Sequence, residues 1–160
     1  MPPEGLLADT LLATGLDTIA VGKISDIFAG RGFSESIHTH SNQEGMSVCS
    51  EYADKDFHGL CFVNLVDFDT LWGHRRDSVG YAEGLNAFDR WLGDFLSKMK
   101  KTDMLVITAD HGCDPSFTKT TDHTREYTPC IICAHDMPPK NLGTMKGFYH
   151  ISEIVKKALI

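Results

Sequence analysis

Apolar runs alternate with amphipathic stretches along the chain, and this alternation predicts where strands and helices lie. Short apolar runs at residues 18–21, 59–66, 103–109 and 129–134 predict strands. The run at residues 104–107 contains no polar side chain, which is typical of a parallel strand that is buried on both faces.

Apolar residues spaced by three and four positions predict the helices. Residues 81–99 form the clearest amphipathic pattern, and we expect this helix to pack its apolar stripe on the sheet. Shorter helices are predicted for the first fifteen residues, for residues 42–56 and for residues 151–159. Strands that alternate with helices predict one α/β domain over residues 1–160, with a mostly parallel sheet flanked by helices.

Charge and composition narrow the range of partners and compartments. A formal net charge of -7 argues against a nucleic-acid partner, which needs a basic surface. We expect no membrane partner and a cytoplasmic location, because no apolar run is long enough to span a bilayer and no secretion signal is recognisable. Five cysteines without a secretory feature predict reduced thiols. On a strand, Cys130 and Cys133 would point to opposite faces, which favours packed thiols over a zinc or redox pair.

Two of the predicted strands are followed by an acidic residue and then by a histidine. Asp69 precedes His74 in one case and Asp110 precedes His111 in the other, while His123 lies in the following loop. The carboxyl ends of parallel strands open into a crevice, where α/β proteins place their chemistry. Carboxylate and imidazole ligands together suit Mn²⁺ or Zn²⁺. The pattern therefore predicts a metal site that handles phosphate.

Structural roles are the alternative for each of these residues taken singly. Asp67 and Asp110 could cap the turns that follow them, and His74 could be a satisfied histidine in a first helical turn. His38 and His40 share a face on an extended segment, but no acidic or thiol partner lies near them in sequence. We do not include that pair in the predicted site.

Several longer strings of residues resemble the phosphopentomutases of the alkaline phosphatase superfamily. They occupy residues 20–30, 66–77, 108–115 and 121–127, and they include Gly-His-Arg-Arg-Asp and Thr-Asp-His-Thr-Arg-Glu-Tyr. The resemblance implies an alkaline-phosphatase-like core of which this chain is the C-terminal part. It also implies an isomerase of nucleotide catabolism that moves phosphate between C1 and C5 of ribose or deoxyribose, with two Mn²⁺ ions.

The resemblance further implies how the metal ligands are shared. Asp110 and His111 would bind one ion, and Asp69, His74 and His123 would bind the other.

Three basic residues are the candidate contacts for the substrate phosphate. Lys23 matches a lysine that the family associates with the phosphate, although a solvated lysine is the simpler interpretation. Arg75 and Arg125 could add bidentate phosphate contacts, or could instead pair with Asp77 and Glu126.

The family's nucleophilic threonine and a further aspartate ligand belong to a segment that has no counterpart in these 160 residues. No catalytic residue is therefore assigned, and we expect catalysis by this chain alone to be incomplete. The alternatives are an inactive metal-binding remnant, a related metal-dependent phosphatase, or a cofactor-independent phosphoglycerate mutase.

Overall fold

The larger sheet has three parallel strands with the first strand at its centre. The structure, a computed structural model, describes residues 2–160. Strand β1 (Asp17–Val21) pairs with β2 (Glu35–Ile37) on one side and with β3 (Gly59–Val63) on the other. The predicted parallel α/β arrangement is confirmed for this sheet. The sequence pattern missed β2, which is short, begins with two polar residues and is largely exposed.

Within residues 2–160, five α-helices and one π-helix accompany the strands. No helix within residues 2–160 is both long enough and apolar enough to cross a membrane. Helix α3 begins where the side chain of Ser41 accepts a hydrogen bond from the backbone N–H of Glu44. The α-helices are α1 (Leu7–Ala13), α2 (Ile24–Ile27), α3 (Asn42–Ala53), α4 (Ser78–Lys98) and α5 (Tyr149–Leu159), and the π-helix spans Phe68–Gly73.

The hydrophobic core is centred on β1. Ile19 and Val21 are buried together with Tyr52 of α3. The apolar residues packed around them come from β2, α3 and β3, so the core lies between the parallel sheet and α3. This core fixes the end of β3, from which the chain continues towards the π-helix.

A second, smaller sheet is antiparallel. Strand β4 (Met104–Thr108) pairs with β5 (Cys130–Ala134), and within residues 2–160 no ladder joins this pair to the larger sheet. The prediction that β4 is buried on both faces is wrong, because its first four residues are only half-buried and Thr108 is exposed. The apolar side chains of β4 favour burial, but within residues 2–160 a strand pairs with β4 on one side only, so its side chains are not fully covered.

Helix α4 begins three residues earlier than its apolar pattern predicted. The side chain of Asp77 accepts a hydrogen bond of 2.9 Å from the backbone N–H of Gly80, which caps the helix at its N-terminus. The helix packs mainly on α3 and the π-helix instead of on the sheet, so that expectation is also wrong. Trp91 Nε1 donates to Ser50 Oγ of α3 over 2.9 Å.

Candidate metal centre

Asp67 anchors the start of the π-helix to α3. Its Oδ2 accepts from the backbone N–H of Asn42 over 2.7 Å, and its own N–H donates to Asn42 Oδ1 over 2.8 Å. Both residues are buried, so these bonds satisfy polar groups that would otherwise be costly to bury. Asp67 therefore has a structural role, because one oxygen of its carboxylate and its backbone N–H are both bonded to Asn42.

The π-helix brings Asp69 and His74 to the same side of the chain. The backbone N–H of His74 donates to the carbonyl of Asp69 over 3.0 Å, a bond that spans five residues instead of four. Short π-helical turns are rare and occur frequently at functional sites. In this turn His74 Nε2 lies 3.3 Å from Asp69 Oδ1.

Three imidazoles surround one carboxylate oxygen. Oδ1 of Asp69 lies 3.3 Å from Nε2 of His74, 3.3 Å from Nε2 of His123 and 3.9 Å from Nε2 of His111. This oxygen is buried and has no hydrogen-bond partner. A buried carboxylate oxygen without a partner is energetically costly, and a cation bound among these atoms would remove that cost. Ligand atoms of Asp69, His111 and His123 lie within 4.8 Å of one another and could hold one metal ion.

Backbone carbonyls orient two of the imidazoles. Nδ1 of His74 lies 2.5 Å from the carbonyl oxygen of Thr121, and Nδ1 of His111 lies 3.1 Å from that of Gly112. A carbonyl can only accept, so Nδ1 carries a proton in each pair, and Nε2 is the ring nitrogen that faces the cluster and is available to a metal. Histidines that bind metals are typically held by such a bond from the other ring nitrogen.

The loop between β4 and β5 places His123 beside His111. Gly112 and Thr124 form an isolated antiparallel bridge, and Thr124 Oγ1 accepts from the N–H of Asp114 over 2.6 Å. The two rings stack with centroids 3.5 Å apart. A Cβ at Gly112 would lie 2.7 Å from the backbone nitrogen of Glu126, so this close approach of the two segments requires glycine.

Arg76 ties the same loop to the end of the π-helix, a role that was not predicted from the sequence. Its Nε donates to the carbonyl of Thr120 over 2.8 Å and its Nη1 to that of Asp114 over 3.0 Å. Its Nη2 donates to the carbonyl of Asp122, next to His123. The sequence offers little signal for this role, because Arg75 and Arg76 are adjacent and identical in type.

The remaining predicted site residues lie outside the cluster around Asp69. Asp110 is 76% exposed, and its Oδ2 lies 3.7 Å from His111 Nε2. Lys23 is exposed at the N-terminus of α2, and Arg75 is exposed with Nε 3.4 Å from the carbonyl of Thr70. Arg125 lines a shallow depression that also includes His123. Within residues 2–160, no hydrogen bond or ion pair joins these three basic residues to the cluster, or joins the arginines to Asp77 and Glu126.

Comparison with known families agrees with this donor set. The family model of the Metalloenzyme superfamily matches residues 11–159. The chain belongs to the metalloenzyme superfamily. Members of such a family use a metal cofactor. Within residues 2–160, Asp69, His111 and His123 form a group that could hold a metal ion.

Curated relatives of this metalloenzyme-superfamily chain include many phosphopentomutases, which confirms the resemblance noted in the sequence. The chain is 50% identical over 155 residues to the phosphopentomutase of Lachnoclostridium phytofermentans, covering 96% of the chain and 40% of the relative. It is 45% identical to that of Clostridium novyi, covering 97% and 40%, respectively. It is 54% identical to that of Clostridium tetani over 84% of the chain and 33% of the relative. The chain thus spans about two fifths or less of the length of these relatives.

Proposed function

We propose that this chain is the metal-binding part of a phosphopentomutase-like isomerase. The reaction is the transfer of phosphate between C1 and C5 of ribose or deoxyribose, and the substrate is a phosphorylated pentose in the cytoplasm. One observation carries the proposal: three imidazole nitrogens face a buried, unpaired oxygen of Asp69 in a chain about 50% identical to phosphopentomutases.

We assign two cation positions to the centre, with Mn²⁺ as the expected metal. As the sequence resemblance implies, Asp69, His74 and His123 would hold one ion, and Asp110 and His111 would hold the other. The distances support a shared centre, because His111 Nε2 lies 3.9 Å from Asp69 Oδ1 and 3.7 Å from Asp110 Oδ2. His111 thus lies within reach of both carboxylates, and Mn²⁺ accepts both oxygen and nitrogen donors.

The chemistry of the centre suits phosphoryl transfer. Two divalent cations about 4 Å apart clamp a transferring phosphoryl group and neutralise the charge that develops on it. The proposed phosphate contacts are three exposed basic groups: the guanidinium of Arg125, which lies beside His123, the guanidinium of Arg75 and the amine of Lys23. Their exposure leaves their donors accessible to a phosphorylated sugar.

No nucleophile is assigned within the chain. Ser116 Oγ donates to Asp114 Oδ1 over 2.6 Å, and Thr120 Oγ1 donates to Asp122 Oδ2 over 3.2 Å. These hydroxyls thus stabilise the turns of their own loop. We therefore propose that the isolated chain binds the metal and the sugar phosphate, and that turnover requires additional residues.

Calorimetric titration of the purified chain tests the proposal. We expect Mn²⁺ to bind and ribose 5-phosphate to bind only in the presence of Mn²⁺. An absence of Mn²⁺ binding would contradict the metal assignment. Metal binding without sugar-phosphate binding would indicate an inactive remnant, and release of inorganic phosphate from ribose 1-phosphate would indicate a phosphatase. Conversion of 3-phosphoglycerate to 2-phosphoglycerate would instead indicate a phosphoglycerate mutase.

A further inference from the structure

The π-helix that carries Asp69 is held at its start by helix α3. Asn42 is the first residue of α3, and Asp67 immediately precedes the π-helix. The backbone N–H of Asn42 donates to Oδ2 of Asp67 over 2.7 Å, and the backbone N–H of Asp67 donates to Oδ1 of Asn42 over 2.8 Å. We call these two reciprocal bonds the Asn42–Asp67 clamp. The clamp joins two elements that are distant in sequence.

The clamp is rigid because it is buried and because α3 is fixed in the core. Asn42 is 6% exposed and Asp67 is 7% exposed, so water does not readily replace either bond. Tyr52, near the end of α3, belongs to the hydrophobic core. A Cβ at Gly45 would lie 3.0 Å from Cδ2 of Leu65, so the start of α3 packs directly on the segment that leads to Asp67.

The bonds within the turn give it a shape but do not fix its place in the fold. Thr70 donates its backbone N–H and its hydroxyl to the carbonyl of Val66 over 3.1 and 2.9 Å. The carboxylate of Asp67 makes no side-chain cap to the π-helix, since it bonds to Asn42 instead. The clamp therefore sets where the turn lies relative to α3 and the sheet.

The position of this turn matters because the other ligands come from a different segment. Asp69 lies two residues after Asp67, whereas His111 and His123 follow β4. Oδ1 of Asp69 lies 3.9 Å from Nε2 of His111 and 3.3 Å from Nε2 of His123. A metal site needs its ligands held within about 0.5 Å of the productive geometry. A small shift of the π-helix would exceed that tolerance.

We propose that Asn42 is a positioning residue of the metal centre. Its side chain holds the backbone of Asp67, which in turn places the carboxylate of Asp69 against the imidazole nitrogens. Asn42 acts through that backbone and not through a contact with the metal. The inference rests on the proposed function, because it concerns the metal centre assigned there. It adds a residue of α3 to a centre whose ligands all lie beyond β3 in the chain.

A purely structural role for Asn42 is the alternative, and Ser41 provides the matched control. Oγ of Ser41 accepts from the backbone N–H of Glu44 over 3.2 Å, so it caps the same helix without bonding to Asp67. Ser41→Ala should lower the stability of the chain and leave its Mn²⁺ affinity unchanged. Asn42→Ala leaves the buried N–H of Asp67 without an acceptor and should lower both quantities.

Calorimetry with Mn²⁺ and the electron paramagnetic resonance spectrum of the bound Mn²⁺ test the proposal on the purified chain. Asn42→Ala should weaken Mn²⁺ binding at least about tenfold and alter the spectrum, whereas Ser41→Ala should preserve both. Each side chain of the clamp uses an oxygen as acceptor, so the double variant Asn42→Asp with Asp67→Asn retains both bonds and should restore binding. Parental Mn²⁺ affinity in Asn42→Ala, an equal loss in Ser41→Ala, or no restoration in the double variant would overturn the proposal.

Amide hydrogen exchange separates this proposal from the proposed function, because it needs no metal. The backbone N–H of His74 donates to the carbonyl of Asp69 over 3.0 Å and should exchange faster in Asn42→Ala than in the parent chain or in Ser41→Ala. If the parent chain bound no Mn²⁺, the proposed function would fail, and faster exchange at His74 would still support the placement of Asp69 by Asn42. Unchanged exchange would contradict that placement. Asn42→Ser, which keeps a smaller acceptor, replaces Asn42→Ala in each measurement if the alanine variant does not fold.

Discussion

Oδ1 of Asp69 lies 3.3 Å from Nε2 of His123, although the π-helix carries the first residue and the β4–β5 loop carries the second. Because this oxygen is buried without a hydrogen bond, it contributes an unfavourable desolvation term to the folded chain. A bound cation would reverse the sign of that term. The carboxylate of Asp69 should therefore strengthen metal binding and, without a metal, lower the stability of the folded chain.

Asp69→Asn separates these two effects. The amide keeps the size of the carboxylate but removes the charge, so Mn²⁺ affinity should fall by at least about tenfold while the stability of the metal-free chain stays the same or rises. Calorimetry with Mn²⁺ and urea denaturation of the metal-free chain measure the two quantities. Asp89→Asn, an exposed aspartate of α4, is the control and should change neither. Equal Mn²⁺ affinity in Asp69→Asn and the parent chain would refute the assignment.

The convergence at Asp69 could be predicted from the sequence because apolar strands and acidic ends follow simple rules. Asp69 and His111 were expected together because each follows an apolar strand, and the structure places them together although β3 and β4 belong to separate sheets. Asp110 is largely exposed instead, because it lies in the bend that follows β4. Whether Asp110 ligates an ion stays a prediction.

Other features could not be predicted because they depend on partners that are distant in sequence. The half-burial of β4 depends on which strands lie beside it, and an apolar run carries no information about that. The start of α4 is set by the side chain of Asp77, whereas the apolar stripe becomes regular only at Tyr81. The role of Arg76 depends on three backbone carbonyls, which no side-chain pattern reveals.

Arg76 should stabilise both the loop and the metal centre. Arg76→Ala removes donors to three carbonyls, and we expect the free energy of unfolding to fall by about 1–3 kcal/mol. Mn²⁺ affinity should fall as well, because the loop no longer holds His123 in place. Urea denaturation and calorimetry measure these changes. Arg75→Ala is the matched control for both quantities, since Arg75 is exposed and makes one long bond of 3.4 Å to Thr70. If the two variants behaved alike, Arg76 would not be a positioning residue.

Two glycines of α4 should respond to alanine with opposite signs. Alanine is favoured over glycine inside a helix by about 1 kcal/mol. Gly93 has open space around it, so Gly93→Ala should stabilise the chain by roughly that amount. A Cβ at Gly84 would lie 2.3 Å from the ring of Trp72, so Gly84→Ala should destabilise it by about 1–3 kcal/mol through overpacking. Thermal and urea denaturation decide the signs. A stabilising Gly84→Ala would mean that Trp72 of the π-helix does not pack on α4.

Two cysteine thiols should make the chain less stable in alkaline solution. Burial raises the pKa of Cys49 to about 11, and burial with the nearby charges of Cys49 and Glu35 raises the pKa of Cys61 to about 12, from an ordinary value of 9.0. The folded chain therefore retains thiol protons that the unfolded chain releases above pH 9.0. Since the folded state then binds more protons, the free energy of unfolding should decrease as the pH rises from 9.0 towards about 11.

Urea denaturation across this pH range tests the thiol prediction, with cysteine variants as the comparison. Burial also raises the pKa of Tyr52, so the thiol contribution is the difference between variants, not the whole slope. The double variant Cys49→Ala with Cys61→Ala should show a flatter dependence on pH than the parent chain. Cys133→Ala, which removes an exposed thiol, should keep the parent slope. An unchanged slope in the double variant would show that these two thiols are not desolvated in solution, and that the packing of α3 against β3 is looser than the structure indicates.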